Sequence, residues 1–237
     1  MPQVEIIDYP YRSNAEPLFA AIRHMPDAIW LDSGKPRSLH GRFDIITAQP
    51  SQILNTVGDT TEIIDTQGAT SSFSQEDPFT LCEQLLSSQG TVDNGFNHYP
   101  FVGGLAGYFG YDLGRQINLQ GDALPKLDTL PDMRMGNYSW ALVLNHSAQK
   151  AWMFFRDNCS QSLRNEVRQC LKQVPDLSKN EQEYQLQQFA GSIHKDDYLE
   201  AIASIKRYIQ AGDCYQVNFA QHFSAAFDGD NWELYRA

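Results

Sequence analysis

The stretch MRMGNYSWALVLNHSAQKAWMFFR, from Met133 to Arg156, constrains the fold more than any other part of the chain. It reads as an extended run, a polar turn around His146–Ser147 and an extended return, which is a β-hairpin. A hairpin alone is marginal in water, so this one needs further strands and covering helices. Upstream, AIWLDS (Ala28 to Ser33) reads as a mostly buried strand. In RFDIITAQP, Phe43, Ile45 and Thr47 point one way while Asp44, Ile46 and Ala48 point the other. Gln52–Val57 and Glu62–Asp65 follow as strands, punctuated by Gly58–Asp59, and the polar QGATSSFSQ reads as a loop.

Helices are signalled by their starts. Asn14 can cap a helix running to His24, with Pro17 in its first turn and Leu18, Phe19 and Ile22 on one face. Asp77–Pro78 is an N-cap acid followed by a proline at the first helical position, ahead of Phe79, Leu81, Cys82, Leu85 and Leu86. Asn158 or Ser160 opens another helix, in which Leu163, Val167, Cys170 and Leu171 recur at helical spacing. Next, QVPDLSKNEQEYQLQQ is polar without a dominant period. The domain boundary is therefore expected within Val174–Gly191, giving a first domain over residues 1–190 and a second over 191–237. KDDYLEAIASIKRYIQAG then reads as an amphipathic helix, with Tyr198, Ile202, Ile205 and Ile209 on one face and Gly212 at the C′ position. Strands and helices mix without βαβ alternation, so the expected class is α+β, with mixed or antiparallel sheets packed against helices.

Composition narrows the function. A hydrophobic content of 42% with 20% charged residues suits a chain that buries a proper core. The net charge of −11, with no basic stripe, argues against a nucleic-acid partner. Cys82, Cys159, Cys170 and Cys214 have neither CxxC spacing nor a histidine cluster beside them, so no zinc site is expected. Scattered thiols fit a reducing cytoplasm. No secretory leader and no membrane-spanning apolar run are visible, so no membrane partner is expected.

Three candidate sites stand out. FVGGLAGYFGYDLGR is glycine-rich, but its spacing matches neither GxGxxG nor GxxxxGK[ST], and no lysine follows. Glycines within an aromatic strand mark close approach by a neighbouring backbone. Asp112, Asp122, Asp128 and Asp132 lack metal-loop or paired-carboxylate spacing and read as turn residues. Ser33 closes one strand and Arg42–Phe43 opens the next. Adjacent strand ends would gather a hydroxyl, a guanidinium and a ring able to hold a small zwitterion such as an amino acid. A turn serine beside a solvated arginine is the plainer account of the same residues.

Taken together, WLDSG with RFDIITAQP, PFVGGLAGYFGYDLGR with LPDMRMGNYSWALVLNH, and KDDYLEAIASIKRYIQAGDCYQVNFAQHFSA resemble the chorismate-utilising enzymes. Within them, GDCYQVNFAQ is similar to the aminodeoxychorismate synthase component I branch, with Cys214, Tyr215 and Asn218 departing from the anthranilate synthase pattern. The resemblance implies a first domain like that of anthranilate synthase component I, then the start of a chorismate-binding domain with Gly212–Asn218 as its first strand. It implies amination of chorismate by ammonia from a glutaminase subunit, with Mg²⁺ as cofactor, on the route to 4-aminobenzoate and folate. It also implies a tryptophan pocket at Ser33, His40, Gly41, Arg42 and Phe43. The lysine segments and metal-binding glutamates of that family are expected beyond Ala237, since Lys35, Lys126 and Lys150 lie in unrelated contexts. No catalytic or metal residue is therefore assigned within the chain, which is expected to be a truncated, inactive N-terminal portion. The alternatives are anthranilate synthase component I and a non-catalytic amino-acid-binding or docking domain. A binding domain of that kind is expected to stop at a completed element near Gly191.

Overall fold

A computed structural model describes residues 3–90, 92, 94–111, 113, 114, 130–177 and 184–237. They fall into two compact units, Met1–Leu177 and Ser178–Ala237.

The first unit is built on two five-stranded antiparallel sheets. One has the order β1-β10-β9-β3-β2, from Val4–Tyr9, Lys150–Arg156, Trp140–Asn145, Phe43–Thr47 and Ile29–Leu31. The other has the order β6-β5-β4-β8-β7, from Thr70–Ser74, Thr60–Asp65, Gln52–Val57, Met133–Tyr138 and Gly104–Phe109. The expected hairpin at His146–Ser147 is present as β9 and β10, with Asn145 opposite Lys150. Its first arm differs from the expectation. The run from Met133 to Asn145 is one extended segment that changes sheets at Ser139: β8 pairs with β4 and β7, whereas β9 pairs with β3 and β10. Ser139 is buried at the junction, and its carbonyl accepts from the Arg156 amide at 2.8 Å.

The alternation in β3 is as read. Ile46 packs with Ala48, Trp140, Leu142 and Leu144 on the face covered by α1 (Glu16–Ile22) and α3 (Gln161–Lys172). Phe43 and Ile45 join Ala141, Val143 and Phe154 on the opposite face, under Phe96, Tyr99, Phe101 and Val102. Both faces of this sheet are thus buried. The second sheet buries one face, where Leu54, Met133 and Met135 meet Leu81 and Cys82 of α2 (Pro78–Ser88).

The helix starts hold with one shift. Asp77 accepts from the Phe79 and Thr80 amides, each at 3.0 Å, and Ser160 accepts from the Leu163 amide at 3.2 Å. At α1, Asn14 accepts from the Glu16 amide at 2.9 Å, while Ala15 occupies the cap position. Two strand readings need correction. β2 is a short edge strand with Leu31 48% exposed, not a mostly buried one, because β3 is the neighbour it pairs with. The stretch read as a loop contains β6, an edge strand that pairs with β5 from Thr70 to Ser74. It carries little apolar signal because its side chains are mostly exposed.

In the second unit, β11 (Tyr184–Leu186) pairs with β14 (Phe227–Gly229), and β12 (Ala190–Gly191) pairs with β13 (Phe223–Ser224). The amphipathic helix is α4 (Lys195–Ala211); Gly212 ends it at φ +83°, a conformation that favours glycine. Tyr198, Ile202 and Ile205 of its apolar stripe are half-buried. A final helix, α5 (Asn231–Arg236), is capped by Asp230, which accepts from the Trp232 amide at 2.9 Å. Gly212–Asn218 does not form the expected strand: no strand among the described residues lies alongside it, and Tyr215 is 93% exposed.

Candidate functional site

The end of β2 and the start of β3 bring most of the suspected residues together. Gly41 lies directly against Ser33, so a Cβ there would run into the Ser33 carbonyl and come within 2.7 Å of its hydroxyl oxygen. Any side chain at position 41 would push the two strand ends apart. The Arg42 guanidinium sits over the Phe43 ring, 4.8 Å from its centroid, a cation–π arrangement. The His40 and Gly41 amides both donate to Ser38 Oγ at 3.2 Å, and His40 is exposed. The Ser33 hydroxyl is buried and has no hydrogen-bond partner among the described residues. An orphaned polar atom of this kind costs free energy unless something supplies a partner.

Residues that sequence reasoning did not single out lie beneath these. Asp44 is fully buried, and its Oδ1 accepts from the Ser33 amide at 2.7 Å. Its Oδ2 lies 3.1 Å from His146 Nε2, both side chains being almost completely buried. The two atoms are in close contact without an aligned hydrogen bond. His146 Nδ1 is 3.0 Å from the Tyr11 hydroxyl, and the His146 amide donates to the Arg42 carbonyl at 2.9 Å. The sequence did hold a signal for Asp44, a charged residue at an inward position of a strand. His146 stands in a hairpin turn, where local pattern says nothing about burial.

A second polar group lies on the less covered face of the second sheet. Arg134 donates to Asp27 Oδ1 through Nε at 3.1 Å and Nη2 at 2.6 Å, and to Asn55 Oδ1 at 3.2 Å. The Tyr138 hydroxyl donates to the Asp27 carbonyl at 2.9 Å. Burial, reinforced by the Asp27 carboxylate and opposed by Arg134, pushes the Tyr138 phenol well above its usual range. Asp27, Arg134 and Tyr138 edge a half-open cavity of about 140 Å³ also lined by Ala106, Gly107 and Gly136. Its arginine is already committed, so the cavity offers an apolar floor with no spare charge.

The glycine-rich block behaves as a close-packed strand. A Cβ at Gly107 would collide with the Arg134 carbonyl across the β7–β8 pair. Asp132, read as a turn residue, is instead buried and accepts from the distant Gly58 amide between β4 and β5 at 2.8 Å. Asp112, Asp122 and Asp128 lie outside the described residues. Among the described residues no group of three or more His, Cys, Asp or Glu side chains comes together to hold a metal ion, and no helix is long and apolar enough to cross a membrane.

Comparison with known proteins gives these features a context. The chain is 35% identical over 233 residues to aminodeoxychorismate synthase component 1 of Klebsiella aerogenes, covering 98% of this chain and 50% of that protein. It is 31% identical over 221 residues to the protein of the same name from Escherichia coli strain K12, covering 93% of this chain and 47% of that one. It therefore spans about half the length of these relatives. The crystal structure of anthranilate synthase component I from Streptococcus pneumoniae TIGR4 superposes with a TM-score of 0.65 at 20% identity, over 84% of this chain and 45% of that one, which establishes the α+β fold. Residues 27–237 match the sequence profile described as chorismate binding enzyme, and the chain belongs to that family.

Proposed function

We propose that the chain is the amino-terminal portion of an aminodeoxychorismate synthase component I, an enzyme that converts chorismate and ammonia to 4-amino-4-deoxychorismate for 4-aminobenzoate and folate synthesis. The observation that carries this reading is the 35% identity to the Klebsiella aerogenes protein along 98% of the chain. In this reading residues 1–190 form the anthranilate synthase-like domain and 191–237 open the chorismate-binding domain. Ammonia comes from a separate glutamine amidotransferase subunit, in keeping with relatives named component 1. The complete enzyme takes Mg²⁺, which would screen the chorismate carboxylates. The described residues supply no metal-ligand cluster, so no step is assigned to the ion on this chain. Four free cysteines suit the proposed cytoplasmic setting.

Genetic complementation tests this. The full reading frame containing this chain is expected to restore growth without 4-aminobenzoate to a bacterium lacking component 1 of aminodeoxychorismate synthase. Rescue of a tryptophan auxotroph lacking anthranilate synthase instead would transfer the reading to that sister enzyme. The 237-residue chain alone, supplied with chorismate, ammonium and Mg²⁺, is expected to form neither product; turnover would overturn its assignment as a non-catalytic portion.

A second reading concerns Ser33, His40, Gly41, Arg42 and Phe43, proposed as one wall of a tryptophan pocket. It is favoured by the buried, unpartnered Ser33 hydroxyl beside the Arg42–Phe43 pair. Titration calorimetry with tryptophan checks it, and the absence of heat would leave Ser33 as a turn residue.

A further inference from the structure

We propose that Asp44 and His146 are positioning residues that hold the two strand ends, Ser33 and Gly41–Phe43, in the geometry a ligand at this site would need. The ligand arm of this inference rests on the pocket reading above; the positioning arm does not.

A carboxylate with no solvent exposure is expensive unless donors compensate it. Asp44 is held from two different parts of the chain: its Oδ1 accepts from the Ser33 amide at 2.7 Å, and its Oδ2 packs against the His146 ring at 3.1 Å. The Tyr11 hydroxyl lies at hydrogen-bond distance from His146 Nδ1, 3.0 Å, and holds the other side of the ring. The same histidine donates its backbone amide to the Arg42 carbonyl at 2.9 Å. One residue of the β9–β10 turn therefore fixes the chain on both sides of Phe43. Asp44 carries that fixation to Ser33, whose carbonyl and hydroxyl lie against Gly41. The titratable groups that meet the imidazole are Asp44 of β3 and Tyr11 beyond β1.

Amide hydrogen exchange on the intact chain tests the relay without any ligand. Asp44→Ala is expected to speed exchange of the Ser33 amide at least about tenfold, the loss of one charge-assisted hydrogen bond, while amides of Leu142 and Phe154 stay protected. Asp44→Asn keeps an acceptor of the same shape and is expected to return most of the protection. His146→Phe keeps a ring but removes both nitrogens and is expected to loosen Ser33 as well. If Asp44→Ala fails to fold, the Asn and Phe variants carry the test. Unchanged Ser33 exchange in Asp44→Ala, or in His146→Phe where that variant carries the test, overturns the proposal. Calorimetry with tryptophan supplies the second readout: at least about a tenfold weaker affinity is expected for Asp44→Ala, with recovery in Asp44→Asn. If the wild-type chain takes up no tryptophan, the pocket reading fails, and the exchange comparison still decides whether Asp44 and His146 position the loop.

Discussion

The two sheets of the first unit are both five-stranded and antiparallel, yet they are built to different standards of closure. The sheet containing β9 is buried on both faces, and Trp140 through Leu144 are all inaccessible to solvent. The sheet containing β8 buries one face under α2, and its other face keeps a half-open cavity and an Arg134–Asp27 pair. The difference is written along one segment. MRMGNY alternates, with Met133 and Met135 inward and Arg134 outward, whereas WALVL is uninterrupted. A strand buried on one face reads as alternation and a strand buried on two reads as a continuous apolar run. The change of pattern at Ser139 is the change of sheet.

Substitutions in the two sheets should follow this contrast. Trp140→Ala, in the doubly buried sheet, removes a fully buried ring whose indole donates to the Ala48 carbonyl at 2.8 Å. The expected loss is about 3–5 kcal/mol, read from urea unfolding midpoints; a loss near that of a surface residue would break the contrast. Gly107→Ala, on the β7–β8 pair, forces a Cβ into the Arg134 carbonyl and should cost about 1–3 kcal/mol. It should also lower protection of the amides between β7 and β8 while leaving those between β9 and β10 unchanged. Phe73→Ser, on the exposed edge strand β6 where the ring is 71% exposed, should stay within about 0.5 kcal/mol of the parent.

Elements that announce themselves locally were legible from the sequence. Asp77 and Ser160 cap the helices they were expected to cap, and Gly212 ends α4, because each acts through neighbours a few residues away. The alternation of β3 was readable for the same reason, since period 2 is intrinsic to a strand. β6 was missed because exposed Ser and Thr carry no burial signal, and the shortness of β2 because edge position depends on partners elsewhere in the chain. At the candidate site, the closeness of Ser33 to Arg42–Phe43 was foreseeable from adjacent strand ends. The supports beneath it were not. His146 stands 102 residues after Asp44, and only the β3–β9 register, with Phe43 opposite Asn145, brings that turn beside the carboxylate.

The β1–β10 pairing has a consequence for synthesis. Val4 meets Arg156 and Tyr9 meets Ala151, so β1 leaves the ribosome well before β10, the strand it pairs with, and waits for it. At about 5–20 residues per second that wait lasts on the order of ten seconds. β3 can pair with β2 at once and waits for β9 on its other edge, while β4 and β5 can also pair with each other at once. The nascent chain thus carries Ile6 and Ile7 without their strand partner until β10 is made, a window in which unpaired apolar strand surface is open to other chains.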